Sequence, residues 1–82
     1  MKLPLYQRVA LSRDVASAKL KKGDVAMLVD YVPAPKGGED GCLLEVFNAL
    51  GDSIAVVAVK ESDIEPLSAD KVLTVRSFQQ AG

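Results

Sequence analysis

The sequence predicts an all-β fold, a small and strongly bent barrel of five or six short antiparallel strands. Apolar residues alternate with a period of two along most of the chain, which is typical of strands and not of helices. Glycine, proline, asparagine and aspartate residues separate the apolar runs, as the turns between strands require. The 82 residues suffice for one domain with a single core, and closure into a barrel would protect the edges of a valine-rich sheet.

The predicted strands follow one another along the whole chain. A turn at residues 22–24 precedes an apolar run in which Val25, Met27, Val29 and Tyr31 line one face. The other runs alternate in the same way or are rich in β-branched residues. In order, the strands are expected at residues 8–12, 25–32, 42–47, 53–59 and 64–67, with a further short strand at 72–75.

The connections between these strands differ in length and composition. Residues 12–23 form a long polar loop, and residues 33–41 hold two prolines and three glycines, a composition typical of a loop. Residues 48–52 form a tight hairpin connection in which Asn48 and Gly51 can take a positive φ. Residues 60–63 interrupt the alternation for one turn before the last barrel strand.

This order of long loop, glycine- and proline-rich loop, tight hairpin and one-turn break predicts an SH3-like barrel. The barrel is expected to occupy residues 5–67, and residues 68–82 form a C-terminal extension whose last residues, 79–82, are expected to be frayed. An OB-fold is the alternative, although it usually needs a longer chain and an intervening helix.

One face of each strand should build the core. On the fourth strand, Ile54, Val56 and Ala58 alternate along one face, which predicts that this face is buried. The expected core comprises Val9, Val25, Met27, Val29, Leu44, Val46, Ile54, Val56 and Leu67.

Several short segments occur in an order, and with gaps, that resemble one small bacterial family. The segments are YQRVAL (6–11), LKKGDV (20–25), VD (29–30), EVF (45–47), ALG (49–51), AV (55–56) and PL (66–67). From Leu5 to Arg76 the chain resembles the family catalogued as domain of unknown function 4926. The family often has a glycine where Ala26 stands, so the alanine implies ordinary strand conformation at that position.

The resemblance implies an SH3-like barrel and supplies no catalytic or ligand-binding residue that could be assigned to this chain. The family's Gly-Asp-x-Gly-x-Val pattern also looks like the start of KOW-type barrels, some of which bind RNA or ribosomal partners. Similar barrels serve as accessory subunits of enzymes. Because one fold supports many functions, the likeness by itself does not determine what this chain does.

Residue usage excludes most familiar catalytic and metal chemistry. The chain has no histidine, which removes the base of a serine triad and the commonest zinc ligand. Its single cysteine, Cys42, can form neither an intramolecular disulfide nor a cysteine-only metal cluster. The acid pairs Glu39/Asp40 and Asp63/Glu65 lie beside glycine or proline and are expected to be solvated. We therefore predict a non-enzyme with no catalytic residue, no metal and no cofactor.

Charge is unevenly distributed, although the net charge is only −1. Residues 1–22 carry six basic side chains and one acidic, whereas residues 23–82 carry four basic and ten acidic. Nucleic-acid binding is therefore the alternative function, although a pI of about 5.2 and an aromatic fraction of 5% count against it. Its contacts would come from the basic 8–22 region, through Arg8, Arg13, Lys19, Lys21 and Lys22.

By elimination, the predicted function is that of a non-catalytic protein-interaction module. The resemblance implies an accessory or antitoxin-like partner of another small protein, and self-association is the other possibility. The interaction residues are expected to be Phe47, Leu50 at the hairpin tip, and Phe78 in the C-terminal extension. The alternative for the extension is that it folds back and covers Phe47.

The compartment is expected to be the cytoplasm, without membrane contact. A lone thiol suits a reducing compartment. Arg8 and Arg13 interrupt the apolar stretch that a signal peptide would need, and the longest apolar run, residues 54–59, is too short to cross a bilayer.

Overall fold

Five strands form one antiparallel sheet in the computed structural model of the protein, which describes residues 2–34 and 37–78. No α-helix occurs among these residues. The predicted all-β class with five short antiparallel strands is therefore confirmed. The strands are β1 (Gln7–Leu11), β2 (Val25–Val32), β3 (Gly41–Phe47), β4 (Ser53–Lys60) and β5 (Ile64–Pro66).

The strands lie in the order β4–β3–β2–β1–β5, and every neighbouring pair is antiparallel. A 3-10 turn, Glu61–Asp63, connects β4 to β5, which confirms the one-turn break. The chain then returns to β1, where Ile64 lies opposite Leu11. This arrangement is consistent with a small barrel-like fold. Because β4 and β5 are the two edges of the sheet, the sheet is not closed.

The expected sixth strand at 72–75 does not form. Residues 71–78 have no regular secondary structure, although the sequence there is rich in valine. A short run becomes a strand only where a neighbouring strand pairs with its backbone, and this segment pairs with neither edge strand of the sheet. Residues 79–82, which were expected to be frayed, lie outside the described residues.

The core is built from small and medium-sized aliphatic side chains. The loop between β1 and β2 contributes to it, because a bridge between Val15 and Leu20 folds that loop inward. The predicted burial of Val9, Leu44 and Val46 is confirmed. The buried cluster comprises Val9, Leu11, Ala18, Leu20, Ala26, Leu28, Cys42, Leu44, Val46 and Val59.

The first half of β2 faces the opposite way from the prediction, and a register shift then changes the facing of the second half. Met27 pairs with Glu45 and Leu28 with Leu44, but the next partner of β3 is Asp30, so Val29 is skipped as in a β-bulge. Before the shift Ala26 and Leu28 are buried, whereas Val25 and Met27 are only half-buried, as is Val29. The prediction that Val25, Met27, Val29 and Tyr31 share one inward face is wrong: Val25 and Met27 lie on the other face from Leu28, and the bulge shifts the alternation by one residue so that Tyr31 packs against the core.

A second register shift changes which residues of β4 face the core. Val46 pairs with Ala55 and Phe47 with Ser53, so Ile54 is skipped. Beyond this point the inward residues are Ala55, Val57 and Val59, and Val56 is 62% exposed. The predicted burial of Val56 is therefore wrong. Ile54 is half-buried against the core on the other face of the strand from Val56, and Leu67 is half-buried as well.

None of the helical segments among the described residues is long and apolar enough to cross a membrane.

The two faces of β4 allow a matched test of this facing. Val59→Ala should lower the free energy of unfolding by about 1.5–3 kcal/mol, because it removes buried methyl groups and leaves a cavity. The same change at Val56 should cost less than about 0.5 kcal/mol, as surface substitutions do. Urea titration of both variants measures the difference. A larger loss at Val56 than at Val59 would show that the alternation continues unbroken through Ile54.

Candidate interaction site

The β3–β4 connection holds one leucine rigidly in solvent. The side chain of Asn48 accepts hydrogen bonds from the backbone N–H groups of Leu50, at 3.0 Å, and Asp52, at 2.9 Å. Gly51 has a φ of +89°, which glycine adopts without strain. The backbone N–H of Gly51 donates to the Asn48 carbonyl at 3.0 Å, closing the turn. Leu50 at its tip is 88% exposed.

Two further apolar side chains lie on the outward face of the same hairpin. Phe47 is 39% exposed, and Val56 extends the exposed area along β4. Between them the Ser53 hydroxyl donates to Glu45 Oε2 at 2.6 Å, which places one acid beside the apolar groups. We call Phe47, Leu50 and Val56 the hairpin surface. It contains two of the three residues that the sequence predicted for interaction.

The third predicted residue, Phe78, belongs to the packing of the chain itself. Residues 68–78 form a strap across one end of the sheet. Arg76 Nε donates to Asp24 Oδ1 at 2.8 Å, its Nη2 contacts the other oxygen of the same carboxylate, and Nη2 also donates to the Lys19 carbonyl at 3.3 Å. Phe78 is half-buried against the core. The extension thus folds back, as in the alternative stated for it, but Phe47 remains exposed.

The ion pair at the strap affects the pKa of Asp24. Burial alone would raise the pKa of Asp24. Hydrogen bonds from Arg76 and from the Lys21 backbone N–H, together with the charges of both side chains, outweigh burial and hold the pKa of Asp24 below its usual range. The charged pair is therefore the stable form at neutral pH, and it fixes the strap to the turn before β2.

A groove of about 520 Å³ lies between the strap and the sheet. Core residues such as Val46 contribute to its lining. The strap contributes Leu73, Thr74, Val75, Arg76 and Phe78. Arg8 and Met27, which are opposite each other on β1 and β2, form another part of the lining. Phe47 also borders it, so the groove adjoins the hairpin surface.

The five predicted polyanion contacts are all exposed, but they are spread over different elements. Arg8 lies on β1 at the groove. Arg13 forms an ion pair with Asp63, at 3.1 Å between Nε and Oδ1. Asp63 is buried, so the expectation that this acid is solvated is wrong. The three lysines lie in the turn that leads to β2, namely Lys19, Lys21 and Lys22.

Acidic side chains are interleaved with these lysines. The backbone N–H of Lys22 donates to Asp14 Oδ1 at 2.8 Å, and that of Lys21 donates to Asp24 Oδ2 at the same distance. The carboxylates shape the turn and place negative charge within the basic segment. A phosphate backbone approaching these lysines would therefore also meet the charge of Asp14.

The N-terminal residues are attached to the other side of the sheet. The Lys2 ammonium contacts the carboxylates of Asp40 and, at 3.5 Å, Glu61, and it lies 4.3 Å from the centre of the Tyr31 ring. The Tyr31 hydroxyl donates to the Leu3 carbonyl at 2.7 Å. Segments on both sides of the predicted 5–67 barrel therefore pack against it.

The only thiol is enclosed by the sheet. Cys42 on β3 is fully buried, and burial, with a further contribution from the charge of Glu61, raises its pKa to about 11. The described residues contain no group of three or more cysteine, aspartate or glutamate side chains placed to hold a metal ion. These side chains supply neither an activated nucleophile nor a metal centre.

Two residues with a role at this site were not singled out from the sequence. Asn48 was expected as a turn residue, but its side chain, and not a positive φ, organises the hairpin. Arg76 received no role, because its partner Asp24 is 52 positions away in the chain. The asparagine could have been found from its preference for side-chain to backbone bonds in turns, whereas no local signal indicates the arginine.

The chain matches no protein-family model, no curated protein and no solved structure.

Packing of the strap can be tested at its aromatic anchor. Phe78→Ala should lower the free energy of unfolding by about 1–3 kcal/mol, less than a fully buried phenylalanine because the ring is half-buried. Val75→Ala, at a strap residue that is almost fully exposed, is the matched control and should change it by less than about 0.5 kcal/mol. If both variants unfold at the wild-type urea concentration, the strap does not contribute to the fold.

The state of the thiol gives a second test. Because the pKa of Cys42 rises from 9.0 to about 11, its thiolate fraction at pH 8 falls about 100-fold relative to an ordinary cysteine. A disulfide reagent such as dithionitrobenzoate should therefore react with the folded protein at least that much more slowly than with the protein in urea. Equal rates would place the sulfur at the surface.

Proposed function

We propose that the protein is a non-catalytic protein-interaction module that docks a partner protein on its hairpin surface. The observation that carries the proposal is the exposure of Leu50 on a turn held by Asn48. A leucine exposed in this way buries almost no apolar surface and so does not stabilise the fold of its own chain. Contiguous exposed apolar groups on small proteins mark interaction sites, and aromatic side chains such as Phe47 favour them.

A second small protein is the partner class that the family resemblance suggests, with this chain as an accessory or antitoxin-like subunit. The preformed hairpin supports that proposal, because a rigid docking element loses little conformational entropy on binding. Self-association through the same surface is the other outcome of the experiment below.

Nucleic-acid binding takes second place in this proposal. The contacts of Arg13 with Asp63 and of the lysine turn with Asp14 and Asp24 reduce the positive field that a phosphate backbone would meet. We place the interaction in the cytoplasm, since a chain with one cysteine needs no oxidising compartment.

A charge placed at the hairpin tip should abolish the interaction. We expect Leu50→Asp to prevent recovery of a stoichiometric partner when the tagged protein is purified from its native cells, or to dissociate a self-associated form in sedimentation equilibrium. Burying an aspartate in an apolar interface is strongly unfavourable. Val72→Asp is the matched control, because Val72 is 87% exposed and lies on the strap.

Comparing the two variants distinguishes an effect specific to the hairpin from the general effect of adding a charge to the surface. The Val72→Asp protein should retain the partner at the wild-type ratio, and both variants should keep the wild-type urea midpoint. If Leu50→Asp retains the same partner at the same ratio, the hairpin surface is not the docking site. If the wild type is monomeric and recovers no stoichiometric partner, the interaction function itself is wrong.

A further inference from the structure

The groove beneath the strap has the form of a small-ligand site. At about 520 Å³ it falls within the range of about 300–1,000 Å³ of sites for small molecules, which are often found at the mouths of barrels. Leu20, Ala26 and Val46, all buried core residues, contribute to its lining. These residues form its floor but are themselves covered, and the apolar surface open to a ligand comes from the half-buried Met27 and the exposed Leu73.

Two arginines line the groove, and only one of them forms an ion pair among the described residues. Arg76 lines it, but the Asp24 carboxylate already holds the guanidinium of Arg76. Arg8 also lines the groove, and within residues 2–34 and 37–78 no carboxylate forms an ion pair with it. The groove thus combines apolar residues with the guanidinium of Arg8, which forms no ion pair with a described carboxylate.

Arg8 stands beside apolar groups of the groove. It lies on β1 opposite Met27 of β2, and both residues line the groove. A guanidinium presents a planar set of donors that fits a carboxylate with two parallel hydrogen bonds. An apolar wall on one side excludes water and strengthens such a pair relative to bulk solvent.

We propose that this groove binds a small amphipathic anion, in chemical class a medium-chain aliphatic carboxylate. Its hydrocarbon chain packs against Met27, which is opposite Arg8, and against the strap residue Leu73, and Arg8 holds its carboxylate. The volume and the single charge fit one such molecule. This binding function goes beyond docking at the hairpin surface, because it requires neither Leu50 nor a protein partner.

Decanoate is the probe, titrated into the full chain by calorimetry and followed by amide chemical shifts. The wild type should bind decanoate about tenfold more tightly than the cation decyltrimethylammonium, and Arg8→Gln should weaken decanoate binding about tenfold while removing that preference. Lys60→Gln is the matched control, since Lys60 is an exposed base on β4 outside the groove. It should bind decanoate as the wild type does.

A groove-filling variant tests the apolar part independently of charge. Ala49 is exposed and lines the groove, so Ala49→Phe should block decanoate without lowering the urea midpoint. Shift changes should fall on groove residues, and Leu50→Asp should leave decanoate binding intact. The proposal is overturned if the wild type does not bind millimolar decanoate, if Arg8→Gln binds it equally well, or if Ala49→Phe folds and still binds. None of these outcomes bears on docking at the hairpin.

Discussion

The two register shifts, at Val29 in β2 and at Ile54 in β4, are the constraint on which the rest of the structure depends. A bulge increases the twist of a strand and bends the sheet, and each one here lies in a long strand that pairs with β3. Each also reassigns the two faces of its strand. Because of the first shift, Leu28 and Tyr31 both approach the core; because of the second, Ile54 and Ala55 do so. The core therefore receives side chains that a regular alternation would place in solvent.

A sheet with two free edges and so small a core needs cover from outside its strands. The β1–β2 loop supplies Ala18 and Leu20, and the strap supplies Phe78. Ion pairs hold the additional segments in place: Arg76 with Asp24 at the strap, and Arg13 with Asp63 at the turn before β5. Of the basic side chains predicted for recognition, Arg13 is thus used for folding. Arg8 lines the groove, and the described part of the chain gives it no ion-pair partner, which makes it the informative charge there.

The sequence was sufficient to locate the strands but not to orient all of them. Alternation and turn residues are local signals, and they place β2 at residues 25–32 and the break before β5 correctly. A bulge arises from how a strand pairs with its neighbour, so the exposure of Val56 cannot be obtained from the strand's own residues. The position of the strap could not be predicted for a related reason. It depends on the contact of Arg76 with Asp24, which is remote from Arg76 in the sequence. At the site, Leu50 and Phe47 were predictable as apolar residues in and beside a turn, whereas the groove was not, since it exists only between the strap and the sheet.

The exposed apolar residues do not carry equal weight as indications of function. Val56 is exposed because the shift at Ile54 places it outward, and a β-branched residue suits a strand whichever way it faces. Val75 is exposed beside Arg76, whose side chain is directed to Asp24. Leu50 has no such local reason. Its position at the tip needs neither a branched side chain nor an apolar one, and the turn around it is held by Asn48 and Gly51. An apolar side chain that the fold does not require, on a turn held by these hydrogen bonds, is the observation on which we base the proposal of docking at the hairpin surface.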